Sequence, residues 1–331
     1  MHKLLAIFVD ALGFEQVSPD DTRFIFNLAR ENTLLPLKPV LGYSDAIRAT
    51  LFTGTYPDKH NYWIMYKFSP EGNPFIVYKP LKFLDRFPGM FQRGLKLVAS
   101  NTFGRLVSCV KGYDDLSTCN IPYNVIHFFD KTCPREFYEP NIFSMPTIFD
   151  LMREEGLSFA YIRSHKTNIF RAIKRLKNED FVLIYIHYLD FAAHRYGLTG
   201  DKYKSALRAV DGIVKRIMKM LIMKSENILL FSDHGMIQPK HYVDLSYLTK
   251  LNMHGRDYLL FLDSTMVHIW YLKPEIKSPL VNMFESLPYG KILTEKDKKY
   301  LRISFRPVSY THLRAHETEA DLVCRLLLEK K

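Results

Sequence analysis

KLLAIFVDALG (3–13) decides how the rest of the chain is read. Residues 4–9 are apolar without interruption, the pattern of a strand buried on both faces, and the run closes on an acid, Asp10. FVLIYIHYLD (181–190) and NILLFSD (227–233) repeat this pattern and close on Asp190 and Asp233, and LSFAYI (157–162) adds a further strand. The stretches between them change to helical spacing: 20–32, 145–156 closed by Gly156, 167–177, and 201–223, where Leu207, Val210, Val214, Ile217 and Leu221 share one face. Strands alternating with helices predict an α/β fold with a doubly wound, largely parallel sheet flanked by helices. In such sheets ligands gather outside the carboxyl ends of the strands, where three acids are expected here. Two more strands, as a hairpin, are expected within 258–274, followed by a basic helix-and-turn segment over 275–306.

Composition permits an enzyme without specifying one. The 331 residues are 47% hydrophobic, enough for a substantial core, and 46 basic against 35 acidic side chains give a net charge of +11. The basic residues are scattered, so the expectation is a surface that attracts a small anionic substrate, with no specific nucleic-acid partner. No apolar run approaches the roughly 18–20 residues needed to span a bilayer, and the N-terminus lacks a small-residue cleavage site, so no transmembrane segment and a cytoplasmic location are expected. Cys109, Cys119, Cys133 and Cys324 form no CxxC pair; reduced thiols are expected, with a Cys119–Cys133 bridge as the alternative.

Beyond the first strand, the chemistry concentrates in GYSDAIRATLFTGTYPDKH (42–60), LDFAAH (189–194) and SDHGM (232–236). Asp10, Ser44, Asp190, His194, Asp233 and His234 combine carboxylates, imidazoles and a hydroxyl. That donor set suits two divalent ions holding an attacking oxygen and a phosphoryl oxygen. Mixed His and Asp ligands favour zinc, with manganese, iron and cobalt chemically compatible. A serine hydroxyl needs activation to act as a nucleophile, and direct coordination to a metal is one route. Ser44 is expected to cap a helix over 45–53, beside the free N–H groups that favour a bound phosphate. Asp190 and His194, four residues apart, fit one face of a helical turn, a spacing that a plain surface contact would equally explain. Asp233 and His234 are adjacent and would point to opposite faces of a strand, so both are expected just past the strand's end.

Together these motifs resemble the alkaline phosphatase superfamily, in particular its type I phosphodiesterase and nucleotide pyrophosphatase family, across nearly all of residues 1–274. The resemblance implies metal-dependent hydrolysis of phosphodiester or pyrophosphate bonds through a phosphoserine at Ser44, which stands nine residues before Thr53 of the T-G-x-Y-P segment. It implies one ion held by Asp190, His194 and a late histidine, and another held by Asp10, Asp233 and His234. Relatives usually carry glycine where this chain has Asn61. A late histidine is absent from 275–306, while His241, His254 and His268 come too early and read as structural or surface residues. Alternatives on the same fold are a phosphomonoesterase or phosphomutase. Arg48 also falls on the arginine of a sulfatase signature, but Ala46 replaces that signature's proline and His234 its usual asparagine. A non-catalytic binding protein is a further alternative, opposed by the intact set of donors.

Two stretches stand apart. Residues 62–144 are dense in aromatics and prolines and read as a cap inserted between core segments 1–61 and 145–306, most of its aromatics packing the insertion's own core. PVSYTHLRAHETEADLVCRLLLEKK (307–331) resembles the conceptual translation of a sequencing adapter. It is therefore expected to be a non-native tail contributing no element, with the natural chain cut near Arg306 and the late histidine lost beyond it.

Overall fold

The apolar runs at 5–9 and 182–186 become parallel strands buried on both faces, whereas 225–231 forms a half-exposed parallel strand in which Leu229 is 49% exposed, short of the burial its apolar run predicts. The computed structural model describes the chain apart from residues 43, 71–73, 87–97, 99–120, 134, 165–166, 240–243, 252, 264–265, 288–289, 304–309 and 315–331. In order, the first half contains β1 (His2–Val9), α1 (Arg23–Glu31), α2 (Ser44–Thr53), α3 (Pro57–His60), β2 (Tyr66–Phe68) and β3 (Phe129–Lys131). Then follow α4 (Ile148–Glu154), β4 (Phe159–Arg163), α5 (Ile169–Ile173), β5 (Phe181–Ile186), α6 (Tyr188–Tyr196), α7 (Asp201–Leu221) and β6 (Ser225–Phe231). The last elements are β7 (Tyr258–Asp263), β8 (Met266–Tyr271), α8 (Lys277–Glu285), β9 (Lys291–Ile292), α9 (Glu295–Tyr300) and β10 (Tyr310–Arg314).

The main sheet is parallel, in the order β4-β5-β1-β6. Its side chains alternate, as a pleated strand requires. Leu5, Ile7 and Val9 join Val182, Ile184 and Ile186 in a core with Val210, Val214, Ile217 and Leu221, so the expected apolar face of α7 is the buried one. Ala6, Phe8, Leu183 and Tyr185 face the opposite way, against Ala49 and Phe52 of α2 and Phe149 of α4. The parity that buries Phe8 on this second face therefore carries the even-numbered Asp10 toward α2.

The sequence reading placed Asp190 at the end of a strand. That is corrected: β5 stops at Ile186, and Asp190 stands in the first turn of α6. An acid in the first helical turn meets the positive end of the helix dipole, so the segment gains by turning helical before the acid.

The hairpin expected within 258–274 forms as β7 and β8, in a second, antiparallel sheet ordered β7-β8-β10-β9. Within the adapter-like stretch, Tyr310–Arg314 pairs with β8 and β9. Ladder hydrogen bonds are made by backbone and accept almost any extended segment, whatever the origin of its side chains. Of the insertion's described aromatics, Trp63, Tyr66, Phe75, Tyr78, Tyr123 and Phe129 are buried and share a core with Phe261 and Trp270 of that second sheet. Cys133 carries a free thiol, pushed up to about 11 chiefly by burial; Cys109, Cys119 and Cys324 lie outside the described residues. Among the described residues no helix is long and apolar enough to cross a membrane.

Candidate metal centre and nucleophile

Two loops build the centre, one leaving β1 and one leaving β6. A Cβ placed on Gly235 would lie 2.8 Å from the Cα of Gly13, so glycine at that position lets the two loops touch. Asp10 continues the ladder by donating its N–H to the Ile186 carbonyl at 2.9 Å. Ala11 then takes a positive φ of 62°, a costly turn for alanine that directs its N–H to Asp233 Oδ1 at 3.4 Å. His234 N–H donates to the same oxygen at 3.0 Å.

Asp10, Asp233 and His234 are all buried, and one ligand atom from each lies within 4.8 Å of the others. His234 Nε2 stands 3.5 Å from Asp10 Oδ1 and 3.7 Å from Asp233 Oδ2. Both oxygens are buried without a hydrogen-bond partner. Ligands about 2.1 Å from a tetrahedral zinc lie about 3.4 Å from one another, so the spacing and the two orphaned oxygens fit a divalent cation. His234 Nδ1 stands 2.8 Å from the Gly235 carbonyl oxygen, so it carries the proton and donates it there. Its Nε2 lone pair is thereby turned toward the carboxylates. Burial, and next the like charge of Asp10, raise Asp233 well above the ordinary carboxylate range.

Ser44 begins α2, and its Oγ lies 2.8 Å from His234 Nε2. It is the helix's first residue, not a cap ahead of it as the spacing suggested. The TGTYPDKH segment holds this helix in place. Thr50 donates to the Ala46 carbonyl at 3.2 Å and meets His60 Nε2 at 3.0 Å, while the Tyr62 N–H donates to His60 Nδ1 at 3.0 Å. Asn61 adopts the left-handed conformation, φ 58° and ψ 23°. Asparagine tolerates that region better than most side chains, so the turn closes without a glycine.

Of the six sequence candidates, Asp10, Ser44, Asp233 and His234 are brought together, and Asp190 and His194 form a separate pair. His194 Nε2 lies 3.4 Å from Asp190 Oδ1 on one face of α6. His187, the residue just before α6, feels the charges of both Asp10 and Asp190, although burial dominates and lowers its pKa. Its Nδ1 lies 2.6 Å from Ser164 Oγ. His254 and His268 are buried in the second sheet's surroundings: Leu260 N–H donates to His254 Nε2 at 3.2 Å, and the His268 ring stacks on Phe261. His241 lies outside the described residues.

Sequence reasoning missed Tyr185, and saw Arg48 only as part of a competing signature. Tyr185 donates its hydroxyl to Asp10 Oδ2. Arg48 is buried, pairs with Asp45, and stacks its guanidinium 5.2 Å from the Tyr185 ring and 5.3 Å from that of Phe137. Nothing local marks a tyrosine inside FVLIYI; only the pairing of Phe8 with Tyr185 in the parallel register brings it beside Asp10.

The model of the type I phosphodiesterase / nucleotide pyrophosphatase family matches residues 4–277. The chain belongs to this family. It is a phosphoric ester hydrolase of the phosphodiesterase and pyrophosphatase type. Its α/β architecture is also that of murine ectonucleotide pyrophosphatase/phosphodiesterase 5, solved inactive in complex with AMP, with a TM-score of 0.63 and 11% identity over 95% of this chain and 79% of that one. Phosphonoacetate hydrolase from Sinorhizobium meliloti 1021, in complex with phosphonoformate, is similar at a TM-score of 0.59 and 11% identity, over 96% of this chain and 81% of that one.

Proposed function

We propose that this hydrolase cleaves phosphodiester or pyrophosphate bonds at a metal-dependent centre, by in-line attack of Ser44 and through a phosphoserine intermediate. The observation that carries the reading is the 2.8 Å contact of Ser44 Oγ with His234 Nε2, inside a cluster whose two carboxylate oxygens have no partner. Asp10, Asp233 and His234 would hold one divalent ion, with Ser44 beside it; Asp190 and His194 would contribute to a second. Bound there, such ions supply Lewis-acid stabilisation of phosphoryl charge and favour the ionised form of a hydroxyl. Zinc is the metal that this nitrogen and oxygen donor set favours.

The remaining work falls to the chain itself. His234, its Nδ1 proton committed to Gly235, keeps its Nε2 lone pair facing the cluster 2.8 Å from Ser44 Oγ, so the ligand atom and the nucleophile are held side by side. The first-turn N–H groups of α2 and the buried Arg48 place positive potential beside Ser44, where a phosphoryl group would sit. A nucleotide-like ester is the substrate class we favour, with the aromatic insertion at 62–144 acting as a cap that influences which leaving group is accepted.

The test is Ser44→Ala assayed on bis-p-nitrophenyl phosphate, p-nitrophenyl phosphate and p-nitrophenyl sulfate, with metal content measured in parallel. Removing the covalent route should lower the rate on the preferred ester by several orders of magnitude while the metal stays bound. Turnover near wild type would refute the nucleophile, and a preference for the monoester or the sulfate would replace the diesterase reading.

A further inference from the structure

We propose that Tyr185 is a positioning residue for the metal ligand Asp10: its hydroxyl holds Oδ2, so that Oδ1 is presented to the cation. The inference rests on the assignment of Asp10 as a ligand. Phe8 and Tyr185 are partners in the β1–β5 register, their rings stacked 4.6 Å apart, and the Tyr185 hydroxyl reaches past Phe8 to the next same-face side chain, Asp10. The two oxygens of Asp10 are thus unlike. Oδ2 accepts from Tyr185, whereas Oδ1 is buried without a hydrogen bond, 3.5 Å from His234 Nε2. A carboxylate free to rotate would exchange these oxygens; one clamped by a buried phenol cannot do so without losing that bond.

The clamp is itself braced. Phe231 stacks on the far side of Phe8 with ring centroids 4.9 Å apart, and the Arg48 guanidinium lies 5.2 Å from the Tyr185 ring. An ionised carboxylate offers acceptor atoms only, so the phenol O–H is the donor in this contact. Arg48 also feels Asp10 and Asp233, and offsets part of the repulsion between two carboxylates held in a site of low dielectric. Hydrogen-bond partners behind a metal ligand typically change affinity by about 10- to 100-fold when removed.

The experiment compares zinc dissociation constants, measured against a competing chromophoric chelator, for the wild-type chain, Tyr185→Phe and Asp10→Asn. Each is also melted in excess chelator to confirm that the metal-free fold persists. Tyr185→Phe should weaken zinc by about 10- to 100-fold, with unchanged stoichiometry at saturating metal. Asp10→Asn should lose that ion. If Asp10→Asn binds zinc like the wild type, the ligand assignment itself has failed. If Asp10→Asn loses zinc and Tyr185→Phe binds it with wild-type affinity, the ligand stands and the positioning role is overturned. Should Tyr185→Phe not fold, 3-fluorotyrosine introduced at this one position keeps the hydroxyl and the volume while strengthening the donor. A shifted zinc dissociation constant at unchanged melting temperature then supports the clamp, and an unshifted one overturns it.

Discussion

Acidification should loosen the helix that carries Ser44 through one buried residue, His60. Its Nδ1 accepts from the Tyr62 N–H at 3.0 Å, so the single proton of the neutral ring sits on Nε2 and is donated to Thr50, whose own hydroxyl proton goes to the Ala46 carbonyl. A second proton has no acceptor: it would meet the Tyr62 N–H. Burial, opposed weakly by Asp58, accordingly lowers the His60 pKa to about 4. In the unfolded chain it returns to about 6.5, so below that pH the unfolded state binds the extra proton and stability falls as pH falls. With those two values, linkage predicts that His60 costs about 2 kcal/mol of stability between pH 7 and pH 5, most of it below pH 6.5. The assay is urea unfolding of the wild type and His60→Asn at both pH values. Asparagine cannot titrate, and its Oδ1 can still accept from the Tyr62 N–H. The variant should be the weaker protein at pH 7, by about 1–3 kcal/mol for the lost Thr50 bond and ring packing. Its decline from pH 7 to pH 5 should nevertheless be about 2 kcal/mol smaller than that of the wild type. Every other titrating group, His254 included, cancels in that difference. Parallel declines would refute the reasoning.

Thr147→Ala removes a capping box in which Thr147 donates to Asp150 Oδ2 at 2.7 Å and accepts from the Asp150 N–H at 3.2 Å; it should cost about 1 kcal/mol in urea unfolding, up to about 2. His194→Ala should lower the bound metal by the ion nearest α6 and spare the other, whereas Asp233→Ala should do the reverse; elemental analysis of purified protein reads both, and full metal content in Asp233→Ala would sink the ligand map.

The elements were legible because strand and helix patterns are local. Residues 4–9 carry no polar interruption, so that run must be buried on both faces, and the α7 positions Leu207, Val210, Val214, Ile217 and Leu221 repeat at the helical period and are buried together. The order and spacing of VDALG, the Ser44 segment, LDFAAH and SDHGM were likewise enough to indicate the family before any fold was drawn. Where β5 gives way to α6 was not legible: the choice between two backbone states at residues 187–190 depends on what packs above the sheet's end, so Asp190 was placed on a strand and lies on a helix. The backbone pairing of Tyr310–Arg314 was not legible for a related reason, since an open strand edge asks only for an extended chain. Inside the site, sequence supplied donor types and tertiary structure decided which atoms face which. Parallel register sets Tyr185 beside Phe8 and Asp10, loop contact at Gly13 and Gly235 sets His234 against Ser44, and the Gly235 carbonyl selects the imidazole tautomer. The contacts of Tyr185, of Gly13 with Gly235 and of Ser44 with His234 join residues far apart in the chain, so no window of neighbouring residues encodes them; only closing the sheet brings them within reach, whereas the His234–Gly235 contact is local and set by the conformation of its loop.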